Sequence, residues 1–292
     1  MQIKVLFNTS KRIHQKFGEL RLGKYTIEPV PTNEPNLSGA SNRYLLRFED
    51  TLNGGRSNPK EDANFFLSYL SLALGSKINI ESFMVNSAQL EDTRTREIFR
   101  SYYSIVNELD GLDLMYTRFH YLDIDIARQF VRACEVYRTA VNIIDENSTL
   151  SFFLLTIAVE CLSNVVSNKK GACEKFVDFV LKFLPDKSDF ENIDQWNEIL
   201  KEIYYNHRSG FTHGGKRVPE AVRAADRLER AYIQNVIGDK DVKTPGLKWF
   251  ERVVRSTLTS YLINQDESKS ASQEPDYFKK LSLEIGLIKF RF

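Results

Sequence analysis

The spacing of apolar positions changes character about two fifths of the way along the chain. Up to Phe48 the apolar residues come in short β-branched or aromatic runs, Ile3–Phe7, Tyr25–Val30 and Tyr44–Phe48, bounded by Asn, Pro, Gly and Ser. Such runs predict strands, and the stretches between them, PVPTNEPNLSGASN and TLNGGRSNPKEDAN, read as loops. A helix is expected over Asn64–Leu74 and another strand over Ile78–Val85, so this portion is mixed α and β. The charged segment Ser87–Glu108 is read as a helix bridging two units, with the boundary near Gly111.

From Asp123 the period becomes helical, with Ile126, Phe130, Ala133, Tyr137, Val141 and Ile144 three or four residues apart. The next element, Leu150–Val166, is apolar nearly all round in FFLLTIAVECL, as a helix at the centre of a bundle would be. Its one charge, Glu160, needs a partner, because a lone carboxylate in apolar surroundings is costly. A third helix is marked by Phe176, Val177, Val180, Phe183 and Leu184 and stops at Pro185. Ile193, Trp196, Leu200 and Ile203 mark a fourth, with Asp189 as its start signal. After Gly214 and Gly215, Pro219 suits a first helical turn, and Val222, Ala225, Leu228, Tyr232 and Val236 form a fifth stripe. Leu247, Phe250, Val254, Leu258 and Tyr261 form the sixth. Beyond Asn264 the chain turns polar, and LSLEIGLIKFRF at the end alternates like a strand, expected to reach back to the N-terminal sheet.

The expected architecture is therefore α+β: a mixed α/β domain over 1–110, a mostly α-helical bundle over 111–264, and a polar linker with a C-terminal strand over 265–292. Composition agrees, since 292 residues with 42% hydrophobic content, 20 Phe and 13 Tyr can bury large cores and exclude a disordered chain. The apolar stretch Leu150–Val159 is about half of the roughly 20 residues needed to cross a bilayer, so no membrane span is expected. The opening MQIKVLFNTSKRIHQKF lacks the apolar core of a secretory signal, which makes a cytoplasmic location the expectation. Cys134, Cys161 and Cys173 lack CxxC spacing and sit among apolar neighbours, so they read as reduced core residues. A net charge of +1 gives no global attraction to a polyanion, and any nucleic-acid contact needs a local patch.

Sequence motifs for phosphate loops, dinucleotide binding, zinc proteases and nucleophile elbows (GxxxxGK[ST], GxGxxG, HExxH, GxSxG) are absent, and four histidines make a dedicated metal site improbable. Asp123 and Asp125 open a helix, where carboxylates complement the dipole. The informative segment is IYYNHRSGFTHGGK, Ile203–Lys216, in which Arg208 and His213 stand five apart. On a continuous α-helix the two would be about 140° apart, so only a long arginine bending round could share a site with the histidine. Gly214 and Gly215 end such a helix and leave His213 in its last turn, where the dipole favours imidazolium and general-acid work near neutrality. Arg208 offers a permanently charged planar fork suited to phosphate oxygens. Arginine for charge and histidine for proton transfer suffice for metal-free RNA cleavage, in which the ribose 2′-OH is the nucleophile.

The segment resembles the RxxxxH motif of HEPN domains, and RSGFTHGG is most similar to the Apea-like branch. The resemblance covers roughly Asp123–Leu262 and includes the apolar helix with a central glutamate, TIAVECL, and the tyrosine-rich turn in YYNHRSGFTHG. It implies a HEPN-type bundle that forms a homodimer through the motif helices, with two copies of Arg208 and His213 in one cleft. It also implies metal-independent endoribonuclease activity, without a cofactor, in a toxin or antiphage defence role, with an antitoxin or phage-derived trigger as a further partner. By the same carry-over His213 is the acid/base and Arg208 the phosphate ligand, while Ser209 stands where many relatives carry Asn, Asp or His. A hydroxyl there can hydrogen-bond RNA but cannot act as a base near pH 7. The alternative is a non-catalytic nucleotide- or RNA-binding or dimerisation module.

Around the motif the residues themselves suggest supporting roles. Glu160 is expected to pair with Arg208, the alternative being a carboxylate facing solvent on a less buried edge, and His207, which competes with His213, is expected to point inward as a structural histidine. Tyr204 and Tyr205 read either as stacking platforms for bases or as core and interface filler. Between Lys201 and Ser260 there are 12 Lys plus Arg against 7 Asp plus Glu. That local excess puts Lys216 and Arg217, with Arg223, Arg227 and Arg230, in reach of an RNA backbone, although a solvated helix face accounts for it too.

Overall fold

The structure is a computed structural model and describes residues 2–10, 12–13, 19–30, 43–49, 59–85, 105–106, 112–190, 192–209, 232–237 and 240–265. The described residues form two compact units that divide between Ile124 and Asp125, and the fold is α+β.

The first unit contains β1 (Gln2–Thr9), β2 (Arg12–Ile13), β3 (Leu20–Leu22), β4 (Tyr25–Pro29), β5 (Arg43–Glu49), α1 (Pro59–Leu74), β6 (Ile78–Val85), β7 (Ile105–Val106) and α2 (Leu112–Phe119). Five of the strands make an antiparallel sheet in the order β3-β4-β5-β1-β6, and β2 pairs in parallel with β7. Register follows from alternation: Ile3, Val5 and Phe7 lie opposite Phe48, Leu46 and Tyr44, all buried and on one face. Pro59 starts α1, as a residue without an N–H can, and Glu61 and Asp62 complement the dipole of its first turn. The β3–β4 hairpin turns at Gly23, whose φ of 54° is left-handed, and a Cβ there would overlap the Tyr116 hydroxyl.

Two expectations for this stretch differ from what is observed. Ile105 and Val106, inside the segment read as a bridging helix, form a strand, in keeping with two consecutive β-branched residues. The rest of that segment, like the terminal strand expected after Gln265, lies outside the described residues. The helix α2 follows the boundary read at Gly111 yet belongs to the sheet-bearing unit. Its aromatic side decides this: the Tyr69 hydroxyl donates to the Leu112 carbonyl at 2.8 Å, and the Tyr116 ring lies edge-on to Tyr25.

The second unit contains α3 (Ile124–Asn142), α4 (Ser148–Val166), α5 (Ala172–Phe183), α6 (Ile193–Glu202), a π-helical turn (Ile203–Ser209), β8 (Tyr232–Ile237), β9 (Lys240–Pro245) and α7 (Leu247–Ile263). The Asn147 side chain caps α4 by accepting from the Leu150 N–H at 3.0 Å. That helix runs at the centre: Phe152 stacks on Phe250 of α7 at 5.1 Å, and Phe176 of α5 meets the same ring. The hydroxyls of Ser151 and Thr156 spend their donors on the carbonyls of Ala140 and Phe152, so they are buried at little cost. Among the described residues α4 is the one helix long and apolar enough to cross a bilayer, longer than the apolar stretch read as ending at Val159. Half of that span is buried inside the unit, as in the core helix of a folded domain.

Two further features depart from the sequence reading. Asn192, not Asp189, caps α6 by accepting from the Gln195 N–H, while Asp189 accepts from the Trp249 indole at 2.8 Å. The fifth helical stripe included Tyr232 and Val236, but these residues lie in β8, paired antiparallel with β9. YIQNVI is β-branched and is followed by Gly238 and Asp239, a two-residue hairpin signal that outweighs a weak 3.6-residue period.

Candidate functional site

Glu160 lies in the last third of α4 and is only 6% exposed. A carboxylate in that position would cost several kcal/mol if unpaired. Two residues of the π-helical turn satisfy it. The Tyr204 hydroxyl donates to Oε1 at 2.7 Å, and Arg208 donates from Nη2 to Oε2 at 3.3 Å, with its Nε 3.2 Å from Oε1. The guanidinium also sits 5.4 Å from the centre of the Tyr204 ring, a cation–π contact that closes the triangle.

The turn itself explains how this is reached. An α-helical continuation of α6 carries Trp196, Leu200 and Ile203 on its inner face. In the structure both Ile203 and its neighbour Tyr204 are buried, and the Tyr204 ring packs on Phe176 at 5.6 Å. Tyr204 stands four residues after Leu200 and eight after Trp196, so it continues the buried stripe of α6; hydrogen bonding from i to i+5 then widens the turn, and such turns are frequent at functional sites. The α-helical rotation that separated Arg208 from His213 by about 140° therefore does not hold from Ile203 to Ser209.

Burial, then the hydrogen bond to Glu160 and its negative charge, push the Tyr204 phenol well above its ordinary value, while Arg208 pulls the other way. Tyr204 is thereby held as a neutral donor. Exposure grades outward, with the Glu160 side chain at 8% and that of Arg208 at 26%, so the cation forms the solvent-facing end of the cluster. Tyr205 is 54% exposed, meets Tyr204 edge-on, and hydrogen-bonds with Cys173, which raises its own phenol. Burial raises the Cys173 thiol and this hydrogen bond offsets part of the rise.

The structure thus brings Glu160, Tyr204 and Arg208 together, with Tyr205 on the rim. The base-stacking role considered for Tyr204 is not open to it, because its ring is enclosed and its hydroxyl is spent on Glu160; Tyr205 alone of the two presents a free face. His213, Lys216 and Arg217 lie outside the described residues, as do the side chains of His207 and Ser209. The bond from Tyr204 to Glu160 was missed in the sequence. Its signal is the spacing of Tyr204, four residues after Leu200 on the face that carries Trp196, which points the ring inward but does not name the carboxylate it meets. Set against family models, curated proteins and solved structures, the chain matches none of them.

Proposed function

We propose that the protein is a metal-independent endoribonuclease of HEPN type, with Arg208 and His213 as its working pair. The observation that carries this reading is the held guanidinium: a buried carboxylate and the face of the Tyr204 ring orient Arg208, whose side chain is 26% exposed. Preorganised charge of this kind stabilises an anionic transition state without reorganisation at the moment of reaction. In the proposed step the ribose 2′-oxygen forms a bond to phosphorus and the bond to the 5′-oxygen breaks. His213 moves the proton from the 2′-OH and returns one to the leaving 5′-oxygen. Arg208 meets the non-bridging oxygens, and Glu160 and Tyr204 act as positioning residues. The surplus of 12 basic over 7 acidic side chains between Lys201 and Ser260, Lys216 and Arg217 among them, supports contact with a phosphate backbone. A cytoplasmic homodimer acting as a toxin or in phage defence, restrained by an antitoxin or released by a phage-derived trigger, is the setting this proposal implies.

The test is RNA cleavage in EDTA by the full chain. Wild type is expected to leave 2′,3′-cyclic phosphate and 5′-hydroxyl ends, and His213→Ala to lose about 10²–10⁴-fold in rate. Retained activity in that variant, or dependence on a divalent ion, would overturn the reading. A non-catalytic nucleotide-binding or dimerisation module is favoured by one observation, that Arg208 already meets Glu160 through two nitrogens and so ties α4 to the turn. Intact RNA together with a saturable thermal shift on adding a nucleotide would select that module.

A further inference from the structure

Beside Glu160, on the side where α3 packs on α4, lies a groove of about 280 Å³ lined by Gln129, Ile157, Glu160, Cys161, Asn164 and Val165. Its size is just under the roughly 300–1,000 Å³ of small-molecule sites, room for one flat heterocycle and not for several. Two neighbouring rows of α4 build it. Ile157, Cys161 and Val165, each four residues apart, give an apolar floor, and Val165 is 48% exposed. Glu160 and Asn164, also four apart, give a polar wall, and Gln129 of α3 completes the lining. Neither the Gln129 nor the Asn164 side-chain amide has a hydrogen-bond partner among the described residues. Arg132, one turn beyond Gln129, is close enough to Cys161 to pull its thiol down against the burial that raises it to about 11.

We propose that this groove seats one unpaired RNA base with an exocyclic amino group, adenine foremost, next to the phosphate that Arg208 contacts; this rests on the ribonuclease reading above. The argument is chemical complementarity at a shared wall. Carboxamides of Asn and Gln pair in bidentate fashion with the adjacent donor and acceptor of adenine. Glu160, engaged by Tyr204 and Arg208, keeps lone-pair capacity that welcomes an amino N–H and repels the carbonyl oxygens of uracil. The apolar row takes the face of the ring. Base and scissile phosphate are thereby read by two faces of one carboxylate-centred cluster.

The experiment is equilibrium binding of uncleavable 2′-O-methyl decamers, oligo-A and oligo-U, to the full chain at one fixed salt concentration. Wild type is expected to bind oligo-A about tenfold more tightly than oligo-U. Gln129→Met and Asn164→Leu, which keep side-chain bulk and remove the amides, should each erase that preference, bringing oligo-A affinity to that of oligo-U. Equal affinities in wild type, or a preference that survives both substitutions, would overturn the proposal and leave the ribonuclease reading standing. A changed solution mass in the two variants would assign the groove to a second copy of the chain and overturn it as well. Binding of neither decamer also overturns it, and RNA cleavage in EDTA then shows whether the ribonuclease reading falls with it.

Discussion

Glu160 is the residue on which the site turns, because it is the one charge in an otherwise apolar core helix and two side chains spend their donors on it. Removing one partner of a fully buried ion pair costs about 3–5 kcal/mol, since it strands the other charge. Arg208 is 26% exposed and regains some solvation, so Glu160→Ala is expected to cost less, about 2–3 kcal/mol. Urea unfolding of the two proteins measures it, and a loss below about 0.5 kcal/mol would make the pair an ordinary surface bridge. The need of Glu160 for a partner is legible in TIAVECL, because burial of a carboxylate is a local property of an apolar run. That the carboxylate would also bind Tyr204 is not legible, since the helical period turns the ring inward but the meeting spans 44 residues of chain.

At the scale of elements, the caps show where local sequence and tertiary packing compete for one residue. Asp189 has the chemistry of a helix start, but the Trp249 indole takes its carboxylate, and the start falls to Asn192. Asn192→Ala should therefore lower stability by about 1 kcal/mol, while Asn192→Asp, which keeps the acceptor, should be near neutral. Equal losses in both variants, read as shifts of the urea midpoint, would show that the cap contributes nothing through its hydrogen bond. The hairpin of β8 and β9 teaches the converse lesson. Tyr232 and Val236 fit a helical stripe by spacing, but β-branched content, with Gly and Asp next in sequence, carries more of the local free energy.

Across the whole molecule, both units bury tyrosines whose phenols are held neutral. In the first, burial followed by the charge of Asp62 raises Tyr25 well above its usual value and Tyr116 to about 12. In the second, burial raises Tyr137 well above its usual value and Tyr261 to about 12, and Tyr204 is raised too. An acid whose folded pKa lies above its unfolded one stabilises fully below the unfolded value, near 10, and loses that contribution as pH rises toward the folded one. Stability is thus expected to be insensitive to these groups up to about pH 10 and to fall between about 10 and 12. Urea midpoints taken from pH 8 to 11.5, with tyrosinate absorbance followed in parallel, check this. Phenolate appearing in full before any loss of circular dichroism would contradict it.

The sequence alone determined the elements with strong periodicity: the strands Ile3–Phe7, Tyr44–Phe48 and Ile78–Val85 and the helices around Phe130, Phe152, Phe176 and Phe250. It did so because alternation of period 2 and stripes of period 3.6 are properties of neighbouring residues, whatever the rest of the chain does. It also marked Glu160 and Arg208 as residues with a charge to satisfy. Only the tertiary structure decided the strand order β3-β4-β5-β1-β6, the membership of α2 in the sheet-bearing unit, and the widening of the turn at Ile203. It also decided the meeting of Tyr204 and Arg208 on one carboxylate 44 and 48 residues away. Each of these depends on which surfaces find one another across long stretches of chain, and that free energy is absent from any local window.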